Sequence, residues 1–394
     1  MKPRVMYIAS NYPPRVGGPA AKIPITAEKV SKDFDVSIIA FKEKGTKWFE
    51  RKKFNLYRSP SCYLFGFSNP LSVFIRTIFI TLYSRIIVFK ENPKIIHAYD
   101  SHISAVAALF CKYTSIRKRK VIVKYAGDLA LEFSGLDNGT PLSMENLMQK
   151  MNFKQSILFR FQKTIFNLSD YLHNNDYQTS IANKFYKIPM RKLKEICNPI
   201  NFDKFKTQKI KHKKFVLLSV ARLVPWKGRE VLINAMPQIA KEIKNVELVI
   251  VGDGDPKFKQ TLVDLCKKNK VSDKVKFVGR VKSEDTPKYY RASDVFVHAP
   301  TYEPFSNAVL ESLVSGIPVV LSNVGGSQKL IKKGKTGYIF ESGNVNDFAK
   351  KVILAKKNLS VLSKETKANR VNLKCYELDN IISELKNFYF KLIE

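Results

Sequence analysis

Glu303 and Glu311 stand eight positions apart in the stretch HAPTYEPFSNAVLESLVSGIPVV, with Pro304 directly after the first. One carboxylate can accept from sugar hydroxyls while the other accepts from a ribose. Val309, Leu310 and Leu313 recur at helical spacing, Ser306 and Asn307 suit a first turn, and Gly316 and Pro318 stop the helix. Glu303 is thereby predicted in a loop before a helix N-terminus, and Glu311 further along that helix. The N–H groups and positive dipole end of such a terminus favour anionic or hydroxyl-rich ligands. Most isolated glutamates are simply solvated, so the surroundings decide. A second candidate is Gly17-Gly18, in the sequence NYPPRVGGP between a strand predicted over 4–10 and a helix predicted over 20–32. Glycines let backbone N–H groups approach phosphate oxygens closely. A lone Gly-Gly fits an ordinary tight turn equally well.

The wider setting resembles a known family. Glu303, Glu311, Gly316, Pro318, Val319, Val320, Gly325 and Gly326 follow the order of the signature of the retaining GT-B glycosyltransferases of family 4, the glycosyl transferases group 1. The resemblance covers nearly the whole chain. It implies an α/β fold of two Rossmann-like domains facing across a cleft. The N-terminal, acceptor-side domain would be 1–200 and the nucleotide-sugar domain 201–372, with a C-terminal helix over 373–394 packing back on the first. It implies hexosyl-type transfer from a UDP-, GDP- or ADP-linked sugar to a glycan or lipid-linked acceptor, with retention and with neither cofactor nor metal.

The same resemblance assigns residues. Arg222 and Lys227, in ARLVPWKG, would bind the donor diphosphate. The chemistry agrees: a guanidinium leaving a strand end forms a bidentate fork, and an ammonium just before a helix adds a point charge. Glu303 would hold the transferred sugar and Glu311 the ribose. Phe305, Ser306 and Asn307 would line the donor beside them, with Gly252 of GDGD and Val281 of GRV near the nucleotide. Gly17 and Gly18 would face the diphosphate from the first domain. Backbone N–H groups near Gly18 and Ser306 would share its charge. Two departures stand out. Many members carry a histidine where this chain has Ala126-Gly127-Asp128, so Asp128 is a candidate for contacting a sugar hydroxyl or the acceptor, against a turn or helix-cap role. Ser327-Gln328-Lys329 replaces a frequent acidic residue, and Trp226 another.

These groups need elements to hold them. Strands are predicted over 36–41, 94–98, 121–125, 171–174, 215–220, 246–251, 275–278 and 294–298, alternating with helical patterns in both halves. His97, Asp100 and His102 fall at a strand end, which makes them cleft candidates. Residues 71–89 are strongly apolar, yet Arg76, Thr77, Thr81, Ser84 and Arg85 form one polar arc on a helix. Core packing is expected, with a membrane interface as the alternative. From Met144, apolar residues recur at helical spacing among Lys150, Lys154, Arg160 and Lys163. The basic run 204–214 reads as the interdomain linker.

Composition narrows the partners. The 394 residues allow two domains, and the formal charge of +34 implies an anionic partner or a lysine-rich surface. No nucleic-acid motif appears, so nucleic acid is not expected. Cys62, Cys111, Cys197, Cys266 and Cys375 form no paired spacing, which fits a reducing cytoplasm. No signal peptide is expected. The basic amphipathic segments predict a peripheral protein at the inner face of an anionic membrane. Two rivals share the residues: a catalytically silent nucleotide-sugar binder, and a basic polyanion-binding protein.

Overall fold

In the computed structural model, residues 2–15, 18–61, 70–132, 143–206, 209–210 and 212–394 are described. The chain divides into two compact units. The first comprises Met1–Ser134, Met151–Pro199 and Asp379–Glu394, and the second Gly135–Lys150 and Ile200–Leu378. The division after Pro199 falls one residue from the expected boundary at 200, while the return falls at 378 rather than 372.

The first unit holds an eight-stranded sheet. Its strands are β1 (Arg4–Ala9), β2 (Asp35–Phe41), β3 (Phe49–Arg51), β4 (Asn55–Ser59), β5 (Ile95–Ala98), β6 (Lys120–Lys124), β7 (Tyr171–Asn174) and β8 (Leu193–Glu195). The order is β3-β4-β2-β1-β5-β6-β7-β8, parallel throughout except for the β3–β4 hairpin. Strands buried on both faces need continuous apolar runs, and VMYIA of β1 and VIV of β6 supply them. The Leu378–Ile393 helix belongs to this unit. It buries Ile381, Ile382, Leu385, Phe388 and Tyr389, and Lys29–Asp379 and Lys386–Asp33 ion pairs edge it.

The second unit holds β9 (Phe215–Val220), β10 (Val246–Val251), β11 (Val275–Gly279), β12 (Val295–His298), β13 (Val319–Ser322) and β14 (Gly337–Phe340). All six are parallel, in the order β11-β10-β9-β12-β13-β14. Numbered within the unit, that is the doubly wound order 3-2-1-4-5-6, which reverses between β9 and β12. Ligands of open α/β sheets sit beyond the carboxyl ends of the strands at such a reversal.

Two helical expectations need correction. The pattern starting at Met144 is not one helix but two, Met144–Gln149 and Phe153–Leu168. Asn152 starts the second with a capping box: its side chain accepts from the N–H of Gln155, whose own side chain reaches back. The apolar segment forms the Pro70–Glu91 helix, which packs against β2 and β4 through its polar side. Ser72, Arg76, Thr81 and Ser84 are buried, while much of its apolar side faces outward. The Arg76 guanidinium lies 4.3 Å from the centre of the Phe41 ring, which gives the buried cation an aromatic face.

Candidate active site

The loops after β9 and β12 carry the charged groups of the second unit. After β9 the chain passes Arg222, makes one turn of 3-10 helix at Pro225–Lys227, and enters the Arg229–Glu242 helix. Arg222 is exposed, and its guanidinium sits 5.9 Å from the Trp226 ring centre. Trp226 thus gives the guanidinium an aromatic neighbour that leaves its donor edges available to a ligand. Lys227 ends the turn. Its Nζ lies 2.7 Å from Glu303 Oε2, with side-chain exposures of 13% and 12%. The loops after strands that neighbour each other at the sheet's reversal are therefore joined by an ion pair.

His298, the last residue of β12, completes the cluster. It is fully buried, and its Nε2 lies 3.1 Å from Glu303 Oε2. Burial drives the imidazole pKa down, and the adjacent Glu303 opposes this only in part, leaving it at about 4. The ring is neutral at pH 7. Burial pushes the Glu303 carboxyl up, but the charge of Lys227 and the hydrogen bond from His298 outweigh it and hold the pKa at about 2. Glu303 is therefore an ionised acceptor, which requires the Nε2–H tautomer of His298. The opposite nitrogen, Nδ1, is buried with no hydrogen-bond partner among the described residues.

Arg229 lies beneath this cluster. It is fully buried, and Nη1 donates to Lys227 O at 3.3 Å. Burial lowers its pKa to about 10, against the charges of Glu230 and Glu303, so it stays cationic at neutral pH. Arg222, Lys227 and Arg229 thus set three cations against the two carboxylates of Glu303 and Glu230. The surplus is positive, which suits an anionic ligand. Neither His298 nor Arg229 was singled out from the sequence as a site residue. The one available signal was adjacency, since Arg229 follows Lys227-Gly228 and His298 opens the stretch that ends in Glu303.

Ser306 caps the Asn307–Ser315 helix, its hydroxyl accepting from Val309 N–H at 3.4 Å. The N–H of Ser306 itself donates to Ser327 Oγ at 2.7 Å inside the fold. Ser327 thereby fixes this loop. Glu311 accepts from Tyr290 Oη at 3.0 Å. The Phe305 ring lies 5.8 Å from that of Tyr376, and Val281 packs against the core cluster around Tyr290 and Phe296.

Two glycines are set by close backbone approach. A Cβ on Gly325, at φ +69°, would fall 1.6 Å from Glu303 O. The Gly-Gly turn therefore lets the Glu303 loop settle, and Gly326 N–H donates to Pro304 O at 3.0 Å. At Gly252, φ +136°, a Cβ would fall 1.9 Å from Ala221 O, so this glycine brings the β10 end against the Arg222 loop.

In the first unit the candidates behave differently. Asp128 is 1% exposed. One carboxylate oxygen accepts from Tyr125 and Tyr186 hydroxyls at 3.0 and 2.6 Å, the other from the N–H groups of Ala130 and Leu131. This is the helix-cap role, and it takes the place of the expected contact with a sugar or acceptor. Asp100 likewise caps, accepting from His102 and Ser104 N–H at 3.1 and 2.9 Å. His97 is not a cleft residue. It is buried with Nδ1 2.6 Å from Tyr389 Oη and Nε2 3.1 Å from His173 Nδ1. His102 is partly exposed beside Asp100 at 3.4 Å. Gly18 begins the Gly18–Val30 helix, whereas Gly17 lies outside the described residues.

Residues 201–370 match the family model described as glycosyl transferases group 1. That stretch, under half of the chain, is similar to the glycosyl transferases group 1 domain. The matched span contains Arg222, Lys227, His298, Glu303 and Glu311. An uncharacterized glycosyltransferase of Methanocaldococcus jannaschii is 43% identical over 122 residues, 31% of this chain and 30% of that protein. The Escherichia coli UDP-Gal:alpha-D-GlcNAc-diphosphoundecaprenol alpha-1,3-galactosyltransferase is 28% identical over 240 residues, covering 56% of this chain and 59% of that protein. Each alignment spans less than two thirds of the relative's length. Among solved structures, a sucrose-phosphate synthase from Thermosynechococcus elongatus superposes with a TM-score of 0.85 at 17% identity, covering 100% of this chain and 99% of that one. Anabaena HepE, solved with UDP-glucose, gives 0.73 at 16% identity over 98% and 99%. At these identities the likeness is one of fold, and the fold is GT-B.

Proposed function

We propose that the chain is a retaining glycosyltransferase of family 4 that moves a sugar from a nucleotide-sugar donor to a glycan or lipid-linked acceptor. The carrying observation is the Lys227–Glu303–His298 cluster at the reversal of a doubly wound sheet, in a group 1 domain. As the sugar–oxygen bond breaks, negative charge grows on the departing diphosphate and positive charge on the sugar. Arg222 and Lys227 balance the first. No divalent ion enters this reading. Glu303 accepts from the transferred sugar's hydroxyls while keeping Lys227 in place, and Glu311 accepts from the ribose. Phe305, Asn307, Gly252 and Val281 line the donor. The acceptor hydroxyl attacks from the leaving-group side and gives its proton to a phosphate oxygen, which retains the anomeric configuration.

The E. coli relative's name pairs a UDP-sugar with a lipid diphosphate, and HepE was solved with UDP-glucose. Both favour a nucleotide-sugar donor, and the first favours a lipid-linked acceptor. With a formal charge of +34, the chain is assigned to the inner face of an anionic membrane as a peripheral cytoplasmic enzyme. Incubation with a panel of UDP-, GDP- and ADP-sugars, reading release of the nucleoside diphosphate, tests the activity. One donor class is expected to be turned over, and the product's anomeric proton should match the donor's configuration. Thermal stabilisation without turnover would leave a silent binder, and no response to any donor would overturn the reading.

A further inference from the structure

The Pro70–Glu91 helix is built inside out. Its inward row of Ser72, Arg76, Ile80, Ser84 and Val88 is buried, although three of the five are polar. Its outward row is Leu71, Phe74, Ile78, Leu82, Ile86 and Phe89, spaced by three and four residues. Phe74 is 63% exposed, Ile86 65% and Phe89 78%. A solvent-facing row on a helix of a water-soluble domain is ordinarily polar. Single exposed apolar residues are common, but a continuous stripe over about five turns marks an interaction face. The helix is long and apolar enough to cross a membrane. Its inner row, however, carries Arg76 over the Phe41 ring, and Arg85 Nη2 donates to Thr114 O at 3.0 Å. Taking both cations into hydrocarbon would break these contacts at high cost. The helix therefore lies on the first unit with its apolar side outward.

Charge identifies what covers it. The loop after the Ile103–Tyr113 helix meets the carboxyl end of the Pro70–Glu91 helix through the Arg85 bond and through Arg119 Nη2, which donates to Asn92 Oδ1 at 3.1 Å. Ile116 projects from this loop fully exposed, followed by the exposed Arg117 and Lys118. Lys90 is exposed at the helix end, and the neighbouring carboxylate of Glu91 is engaged by the Tyr57 hydroxyl. The carboxyl end of the Phe153–Leu168 helix is reached through Tyr113 Oη to Leu168 O at 3.1 Å, and towards its far end that helix exposes Phe153 and Ile157 beside Lys154 and Arg160. An apolar stripe bordered by cations has the two complements of one surface: acyl chains for the stripe and anionic headgroups for the border.

We propose that the outward row of the Pro70–Glu91 helix, with Ile116 at its end, is a membrane-docking face that lies in the interface of an anionic bilayer, with Lys90, Arg117 and Lys118 on its headgroups. This rests on the peripheral membrane reading above and names the element responsible. It does not depend on the donor site, which is in the other unit.

Co-sedimentation of the full chain with phosphatidylglycerol–phosphatidylcholine vesicles and with pure phosphatidylcholine vesicles tests it. Leu82→Glu changes an exposed position, so its melting temperature should match the wild type. Its partition to anionic vesicles is expected to fall about tenfold or more. The pair Arg117→Glu and Lys118→Glu should lose about tenfold at low salt and little at high salt. Wild-type binding that Leu82→Glu leaves unchanged would overturn the docking face while sparing the peripheral reading. Absence of wild-type binding to anionic vesicles would overturn both. Sedimentation of the wild type as a dimer that Leu82→Glu splits, without vesicle binding, would assign the stripe to a second copy. Nucleotide release from a soluble donor reads the second unit separately, so failure there leaves this test intact.

Discussion

The two sheets share one winding and use it for different ends. Within the first unit β4-β2-β1-β5-β6-β7 repeats the order 3-2-1-4-5-6 that β9 to β14 follow in the second. Both therefore reverse direction between their first strand and the strand that follows the third. At the first unit's reversal, the loops after β1 and β5 are tied to each other. Ser10 N–H donates to Ser104 Oγ at 2.9 Å, and Asp100 accepts backbone N–H groups of its own helix. At the second unit's reversal the loops are joined by charge. Lys227 meets Glu303 across the β9–β12 boundary, with Arg222 exposed above and Arg229 buried below. A carboxylate used as a cap has its lone pairs filled. A carboxylate that takes an ammonium and an imidazole N–H on one oxygen keeps acceptor capacity on the other for a ligand hydroxyl. The same scaffold position thus yields a hydrogen-bonded structural seam in one unit and a charged cluster in the other.

Substitutions can break this contrast where it is strongest. Arg222→Ala removes an exposed guanidinium that makes no core contact, so the fold should persist. Loss of one preorganised contact to the leaving diphosphate typically costs about 10²–10³ in turnover. Unchanged steady-state transfer by a folded Arg222→Ala protein would remove Arg222 from the site.

The two glutamates sharpen the contrast within the second unit. Glu311→Gln should weaken the free nucleoside diphosphate and the sugar donor alike, by about tenfold, the scale of one charged hydrogen bond. Glu303→Gln should weaken mainly the sugar donor. Equilibrium titration of both ligands into both variants reads this, and equal losses throughout would reject the division of labour.

In the first unit the expected effect moves from rate to stability. Asp128→Ala leaves Tyr125 and Tyr186 hydroxyls and two helix N–H groups without their acceptor, at a cost of about 2–3 kcal/mol. Urea denaturation should show this loss, while kcat on the folded protein stays within about twofold. A large drop in kcat without a stability change would return Asp128 to the acceptor side.

The sequence carried the apolar strands well, because strands buried on both faces leave continuous runs such as FVLLSV and VELVIV. It missed the β3–β4 hairpin, whose residues FER and NLYRS form no such run. In the site, Arg222, Lys227, Glu303 and Glu311 were legible because their spacing forms a motif. His298 and Arg229 were not, since a buried imidazole and a buried guanidinium become notable only once burial is known. The Pro70–Glu91 helix shows the limit of periodicity. Its polar arc was visible, but periodicity does not say which side faces the sheet, and here the polar side does.

The central claim is that the second unit's reversal binds the diphosphate of a nucleotide donor through Arg222 and Lys227. Calorimetric titration of UDP, GDP and ADP into wild type and Lys227→Ala measures it directly. One of the three should bind the wild type, and Lys227→Ala should bind that nucleotide about tenfold or more weakly while melting cooperatively. Equal affinity in the two proteins, or heat from none of the three nucleotides, would contradict the account.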